Sequence, residues 1–220
     1  MHGDTRPERH QTFGEELANS ITHGVGFFAS LAAIPVLALA ASRHGDTLRL
    51  IGGVTFALSA AILFGASSLY HALPASTAKR VFRVLDHAGI YVLIAGTYTP
   101  FTIGVMRGGW GWALFGVVWG MAVAGIVAKS TIGMRFARAS TVLYLMLGWL
   151  AIIAIPPALE AFTWHQIAWI AAGGLFYTVG VPFYAWKNRR YMHAVWHVFV
   201  LGGAICHFVA VLSAMDARGA

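Results

Sequence analysis

Seven stretches of about 20 residues in this chain hold no Asp, Glu, Lys or Arg: approximately Ile21–Ala41, Leu50–Tyr70, His87–Met106, Gly109–Ala128, Ser140–Leu159, Gln166–Trp186 and Tyr191–Met215. A helix rises about 1.5 Å per residue, so about 20 mostly apolar residues cross the ~30 Å of hydrocarbon in a bilayer. All the charged residues, 15 Lys and Arg with 8 Asp and Glu, lie between or beyond these windows. They make up 10% of the chain, against roughly 25% in a soluble domain, too few to cover a surface that faces water. The chain therefore reads as an all-α integral membrane protein, a seven-transmembrane-helix bundle. The divisions that follow are a polar arm over 1–15, a single seven-helix domain over 16–215 and a short outer tail over 216–220. The arm mixes both charge signs and no small-residue cleavage site follows it, so the first helix is expected to insert uncleaved.

Short connections make successive helices alternate in direction, which reduces the topology to one binary choice. Loops kept in the cytoplasm carry the excess of Lys and Arg. One set holds Arg6, Arg9, Lys79, Arg80, Arg83, Lys129, Arg135, Arg138, Lys187, Arg189 and Arg190; the other holds Arg43, Arg49, Arg107 and Arg218. That imbalance puts the N-terminus in the cytoplasm and the C-terminus outside. The formal charge of +7 then faces the anionic headgroups of membrane lipids rather than nucleic acid, because the basic residues sit in juxtamembrane gaps. Trp110, Trp112 and Trp164 fall at the outer rim and Tyr70, Trp186 and Tyr191 at the inner, while Trp119 and Trp149 are expected to pack deeper. Pro35, Pro100, Pro156, Pro157 and Pro182 suggest kinks, and Gly116-x3-Gly120 suggests a close helix contact. An odd helix number without an internal repeat argues against an inverted-repeat transporter. Cys206, the single cysteine, lies in an apolar block and reads as a buried, inert thiol.

Polar side chains gather at one depth. Helix 1 begins with Glu16, Asn19 and His23; helix 2 ends with Ser67 and His71; helix 3 begins with Asp86; helix 7 begins with His193 and His197. The spacings 67/71 and 193/197 put each pair on one helical face, and 16/19/23 also line one stripe. His71, His193 and His197 can supply three imidazoles to Zn²⁺ and leave a fourth tetrahedral position to water, whose pKa such a metal lowers to about 7. Asp86 or Ser67 can orient or deprotonate that water. The plainer alternative is that interfacial histidines hydrogen-bond to lipid or to carbonyls, that Glu16 answers the helix dipole and that Asn19 bonds a neighbouring helix. His87 is set aside because it points about 100° from Asp86 around the helix, and His207, ten residues past His197, lies too deep to join the same metal.

These residues resemble the hemolysin III group of bacterial membrane proteins, within the progestin and adipoQ receptor superfamily that includes adiponectin receptors. The motifs that carry the resemblance are Glu16-x2-Asn19-x3-His23, Ser67-Ser68-Leu69-Tyr70-His71, Leu85-Asp86-His87-Ala88-Gly89-Ile90 and His193-Ala194-Val195-Trp196-His197, spread over nearly the whole chain. The resemblance implies a seven-helix fold in the bacterial cytoplasmic membrane, zinc held by His71, His193 and His197, Asp86 acting on the zinc-bound water and Ser67 supporting the site. The receptor branch is associated with hydrolysis of amide-linked lipids such as ceramide; the bacterial branch carries a cytolysin name and is associated with membrane-lipid homeostasis. The receptors' long N-terminal domain is missing here, so hormone binding does not carry over. Three functions stay open at this point: an intramembrane zinc hydrolase of a lipid amide or ester, a pore-forming cytolysin, and a non-catalytic lipid sensor in which zinc ties helices 2 and 7. A pore is the least supported, since the helices are polar mainly at one end rather than through the membrane.

Overall fold

The computed structural model describes residues 9–132 and 137–216, and every regular element among them is helical. Seven helices are long and apolar enough to cross a membrane: α1 (Phe13–Ser42), α2 (Thr47–Ala72), α3 (Thr77–Met106), α4 (Gly108–Thr131), α5 (Ala139–Ala161), α6 (Trp164–Ala185) and α7 (Met192–Asp216). Arg6, Arg135 and Arg218, counted above for orientation, lie outside the described residues, as do the first eight residues of the arm and the last four of the tail.

Two helices begin well before their apolar windows, α1 at Phe13 rather than Ile21 and α3 at Thr77 rather than His87. Hydropathy marks only the part that crosses hydrocarbon, whereas a helix continues for as long as its first N–H groups find acceptors. Thr12 and Glu15 form a reciprocal capping box at α1, and the Ser76 hydroxyl accepts from Lys79 N–H at α3. Asp46 accepts from the N–H groups of Leu48 and Arg49 at the start of α2, and it also pairs with Arg107 across the bundle end.

The centre of the bundle is α2 and α3, whose most apolar windows are 61% and 67% buried; those of α5 and α6 are 11% buried. Leu37 of α1, Phe56 and Phe64 of α2, Leu93 of α3 and Val211 and Met215 of α7 share one buried cluster. Tyr91 and Ala95 of α3 meet Val118 and Ala122 of α4 and Leu147 of α5 in a second. Lipid tails are as apolar as leucine, so close backbone approach and interhelical hydrogen bonds must supply the association. A Cβ added to Gly52 would lie 2.5 Å from Pro100 Cα, and one added to Gly96 would collide with Ser59. The expected contact at Gly116 and Gly120 does not form: a Cβ at either would meet no atom within 4 Å. Small residues permit close packing without naming the face that uses it, and here α2 with α3, and α6 with α7, use it.

The prolines reshape α3 and α5. Pro100 opens a π-helical turn, Pro100–Met106, that closes α3, and the backbone then turns through positive φ at Arg107 and Gly108. Within α5 a 3-10 segment, Leu150–Ala154, precedes Pro156 and Pro157. Proline has no N–H to donate, so carbonyls one turn earlier lose their partners. Where α5 tightens into its 3-10 segment, before those prolines, Tyr98 of α3 meets the backbone: its hydroxyl lies 3.2 and 2.9 Å from the carbonyls of Leu147 and Gly148 and accepts from Ala151 N–H at 2.8 Å. The two deep indoles bond across helices, Trp119 Nε1–H to Thr99 at 3.1 Å and Trp149 Nε1–H to Thr178 at 3.0 Å. His207 does the same far from the polar end, its Nε2 lying 3.1 Å from the Ile170 carbonyl of α6. Cys206 is buried and free.

Candidate metal centre

At the end of the bundle where α1, α3 and α7 begin and α2 ends, His71, His193 and His197 each offer a ring nitrogen, and these atoms lie within 4.8 Å of one another. The four-residue spacing on α7 stacks its two histidines one turn apart, with ring centroids 4.6 Å apart, and turns both toward α2. His71 completes the group from the last turn of α2, its ring centroid 5.2 Å from each.

Helix α1 holds these rings from behind. Glu16 Oε2 lies 2.6 Å from His71 Nδ1, while Glu16 Oε1 accepts from Lys79 Nζ at 3.0 Å. His197 Nδ1 lies 3.3 Å from the Asn19 carbonyl and 3.3 Å from Thr22 Oγ1. An acceptor at Nδ1 favours the tautomer protonated there and directs the lone pair of Nε2 elsewhere. His71 Nε2 is buried and has no hydrogen-bond partner in the protein. So do Ser67 Oγ, Asn19 Oδ1 and both ring nitrogens of His23. A buried polar atom left unpaired costs about 1–3 kcal/mol, and five in one place fit a polar occupant such as a metal with its water. The donor set of neutral imidazoles backed by a carboxylate and a carbonyl suits zinc.

The remaining residues singled out in the sequence sit as follows. Asn19 is fully buried and donates to Gln11 Oε1 at 2.7 Å, with its Nδ2 3.5 Å from His71 Nδ1. His23 stacks on His197, centroids 3.5 Å apart and planes 7° from parallel. Ser67 is buried on α2, one turn before His71. Asp86 is buried on α3 and is not in the converging group; its Oδ2 lies 3.5 Å from His87 Nδ1. His87, set aside in the sequence, instead lines a cavity of about 130 Å³ with His71 and His193.

Three participants were missed. Glu15 is buried and accepts from Arg9 at 2.8 and 2.5 Å, from Thr12 N–H at 2.9 Å and from Tyr191 N–H at 2.9 Å, tying the arm to the start of α7. Its carboxylate raises the Arg9 guanidinium pKa above the ordinary value through that hydrogen bond. The spacing Thr12-x2-Glu15 was a visible capping-box signal. Thr22 and Gln11 had no such signal, because both act through partners on other segments.

Fold and site together define a multi-pass membrane protein whose helices bring together a largely buried histidine cluster able to hold a metal ion. A family model described as Haemolysin-III related matches residues 11–208, and the chain belongs to that family. It is 41% identical to Hemolysin-3 of Bacillus cereus over 198 residues, covering 90% of each chain. It is 40% identical to the Hemolysin-3 homolog of Bacillus subtilis (strain 168) over 201 residues, covering 91% of this chain and 94% of that one. A more distant likeness, 26% over 210 residues covering 90% of this chain and 83% of the other, links it to the human monocyte to macrophage differentiation factor and supports the wider receptor superfamily. The chain is thus a multi-pass bacterial membrane protein of the hemolysin III type.

Proposed function

We propose that this protein is a zinc-dependent hydrolase of a membrane lipid amide or ester, with the metal held by His71, His193 and His197. The observation that carries the reading is His71: its Nδ1 is taken by Glu16 at 2.6 Å while its buried Nε2, without a partner, faces two further imidazoles. Zinc bound there would supply Lewis acidity toward the lipid carbonyl and toward the attacking water. The chain's own groups do the rest. Glu16 holds His71 in register. Glu16 and Glu15 are already committed, to His71 with Lys79 and to Arg9 with Tyr191 respectively. We assign the proton from water to Asp86, buried on α3 at the same end of the bundle; the neighbouring His87 Nδ1 donates to Arg83 O at 2.9 Å. The Ser67 hydroxyl, buried and unpartnered, donates toward the oxygen that gains charge as the carbonyl is attacked. The bond from the acyl carbon to nitrogen or oxygen then breaks, the leaving group takes the proton from Asp86, and a fatty acid and an amine or alcohol depart. The excess of basic residues at this end supports a site on the cytoplasmic side of the membrane.

Purified protein is expected to carry about one zinc per chain by elemental analysis, lost in His71→Ala. Asp86→Ala should keep the metal and lose lipid hydrolysis, measured by mass spectrometry of released fatty acid. Full hydrolysis in both variants would overturn the reading.

A further inference from the structure

The cavity that opens onto His71 and His193 has a charge pattern that the metal does not explain. Arg9, Arg83, Lys187 and Arg189 line it, and among the described residues Glu15 is the one carboxylate in its lining. Glu15 is itself engaged by Arg9 through two hydrogen bonds, so the local balance is strongly positive even before any metal enters. The cations come from separate elements: Arg83 from α3, Lys187 and Arg189 from the connection between α6 and α7. Arg189 lies with its guanidinium carbon 4.9 Å from the Trp186 ring centroid. Stacking of this kind holds a guanidinium by its face and leaves its in-plane N–H fork as the recognising edge. An arginine fork matches the oxygens of a phosphate. At about 130 Å³ the cavity has room for a phosphate group. Tyr70 and Trp186, which also line it, are residue types that settle at headgroup level.

We propose that this cavity binds the phosphate of a lipid headgroup, so that the lipid presented to the histidine cluster is a phosphate-bearing one and not an uncharged ceramide-like or diacylglycerol-like molecule. The inference deepens the hydrolase reading by naming its substrate class, and the binding itself depends on the basic walls alone. Arg80 and Arg190 provide the internal control: both are exposed at the same end of the bundle and neither lines the cavity. A general attraction between basic residues and headgroups would involve them equally.

The test is a calorimetric titration of full-length protein in uncharged detergent with short-chain phosphatidic acid, with diacylglycerol of the same chains, and with inorganic phosphate. Phosphatidic acid should bind at least about tenfold more tightly than either of the others. Arg83→Gln and Arg189→Gln should each weaken that binding about tenfold, with Arg80→Gln and Arg190→Gln within about twofold of the parent. Chelator-stripped protein should keep the preference. Equal binding of diacylglycerol, equal binding of inorganic phosphate, or equal losses at the two control positions would overturn the proposal. Preference intact in a protein that never binds metal would sink the hydrolase reading alone; metal bound without preference would sink only this one.

Discussion

Glu16→Gln separates the support of the site from the support of the fold. The glutamate reaches His71 Nδ1 at 2.6 Å with one oxygen and Lys79 Nζ at 3.0 Å with the other. A glutamine retains an acceptor of the same reach, so the ring keeps its orientation and loses the negative charge behind it. Outer-shell partners of this kind contribute about 10–100-fold to metal affinity, or about 1.4–2.7 kcal/mol. The Glu16 side chain is 24% exposed, so water screens part of its charge and the expected loss is at the lower end, about tenfold. The Lys79 pair is also partly exposed, which limits the cost to the metal-free fold to less than about 1 kcal/mol. Competition of the purified variant against a fluorescent zinc chelator reads the first quantity, and thermal unfolding of chelator-treated protein reads the second. Unchanged zinc affinity would refute the argument, as would an affinity loss that merely followed collapse of the metal-free protein.

Other perturbations test the frame around the site. Gly52→Ala should lower thermal stability by about 1–3 kcal/mol because the new methyl meets Pro100 backbone, whereas Gly116→Ala, facing open space, should leave the melting temperature unchanged. Tyr98→Phe removes the hydroxyl that answers Leu147, Gly148 and Ala151, and should destabilise by about 1–3 kcal/mol in the same unfolding assay. Imidazoles bind metal only when neutral, so protons compete with zinc for the ligands: zinc retention on dialysis should be complete at alkaline pH and be lost as the medium is made strongly acid. Zinc that stays bound under acid conditions in which the protein remains folded would exclude a histidine cage.

Much of this architecture is written in one-dimensional signals. Charge-free blocks of bilayer length count the spans, and the four-residue spacings of His71 with Ser67 and of His193 with His197 anticipate the convergence of imidazoles from α2 and α7. What escaped was whatever depends on a partner remote in sequence. Prolines announced disturbances in α3 and α5, yet nothing in the sequence named Tyr98 as the group that bonds the backbone where α5 tightens. His87 was dismissed because it and Asp86 cannot share a face, on the premise that the face of Asp86 is the one turned to the cavity; the cavity is lined by His87. Glu15 could have been read from its spacing to Thr12, but its bond to Tyr191 could not, since that contact joins opposite ends of the chain. Gly116 and Gly120 matched a packing motif whose partner surface is not there.

The unequal burial of the helices bears on how this molecule survives extraction. A core of α1, α2, α3 and α7 is stitched by its own side chains, but α5 and α6 offer most of their apolar surface outward. Lipid acts there as scaffolding, and a micelle is a poor substitute for it. Short-chain surfactants should therefore loosen α5 first, because α6 is still held to α7 by close glycine contacts and by the His207 bond to the Ile170 carbonyl, leaving a preparation that still melts cooperatively and still retains zinc while α5 has come adrift.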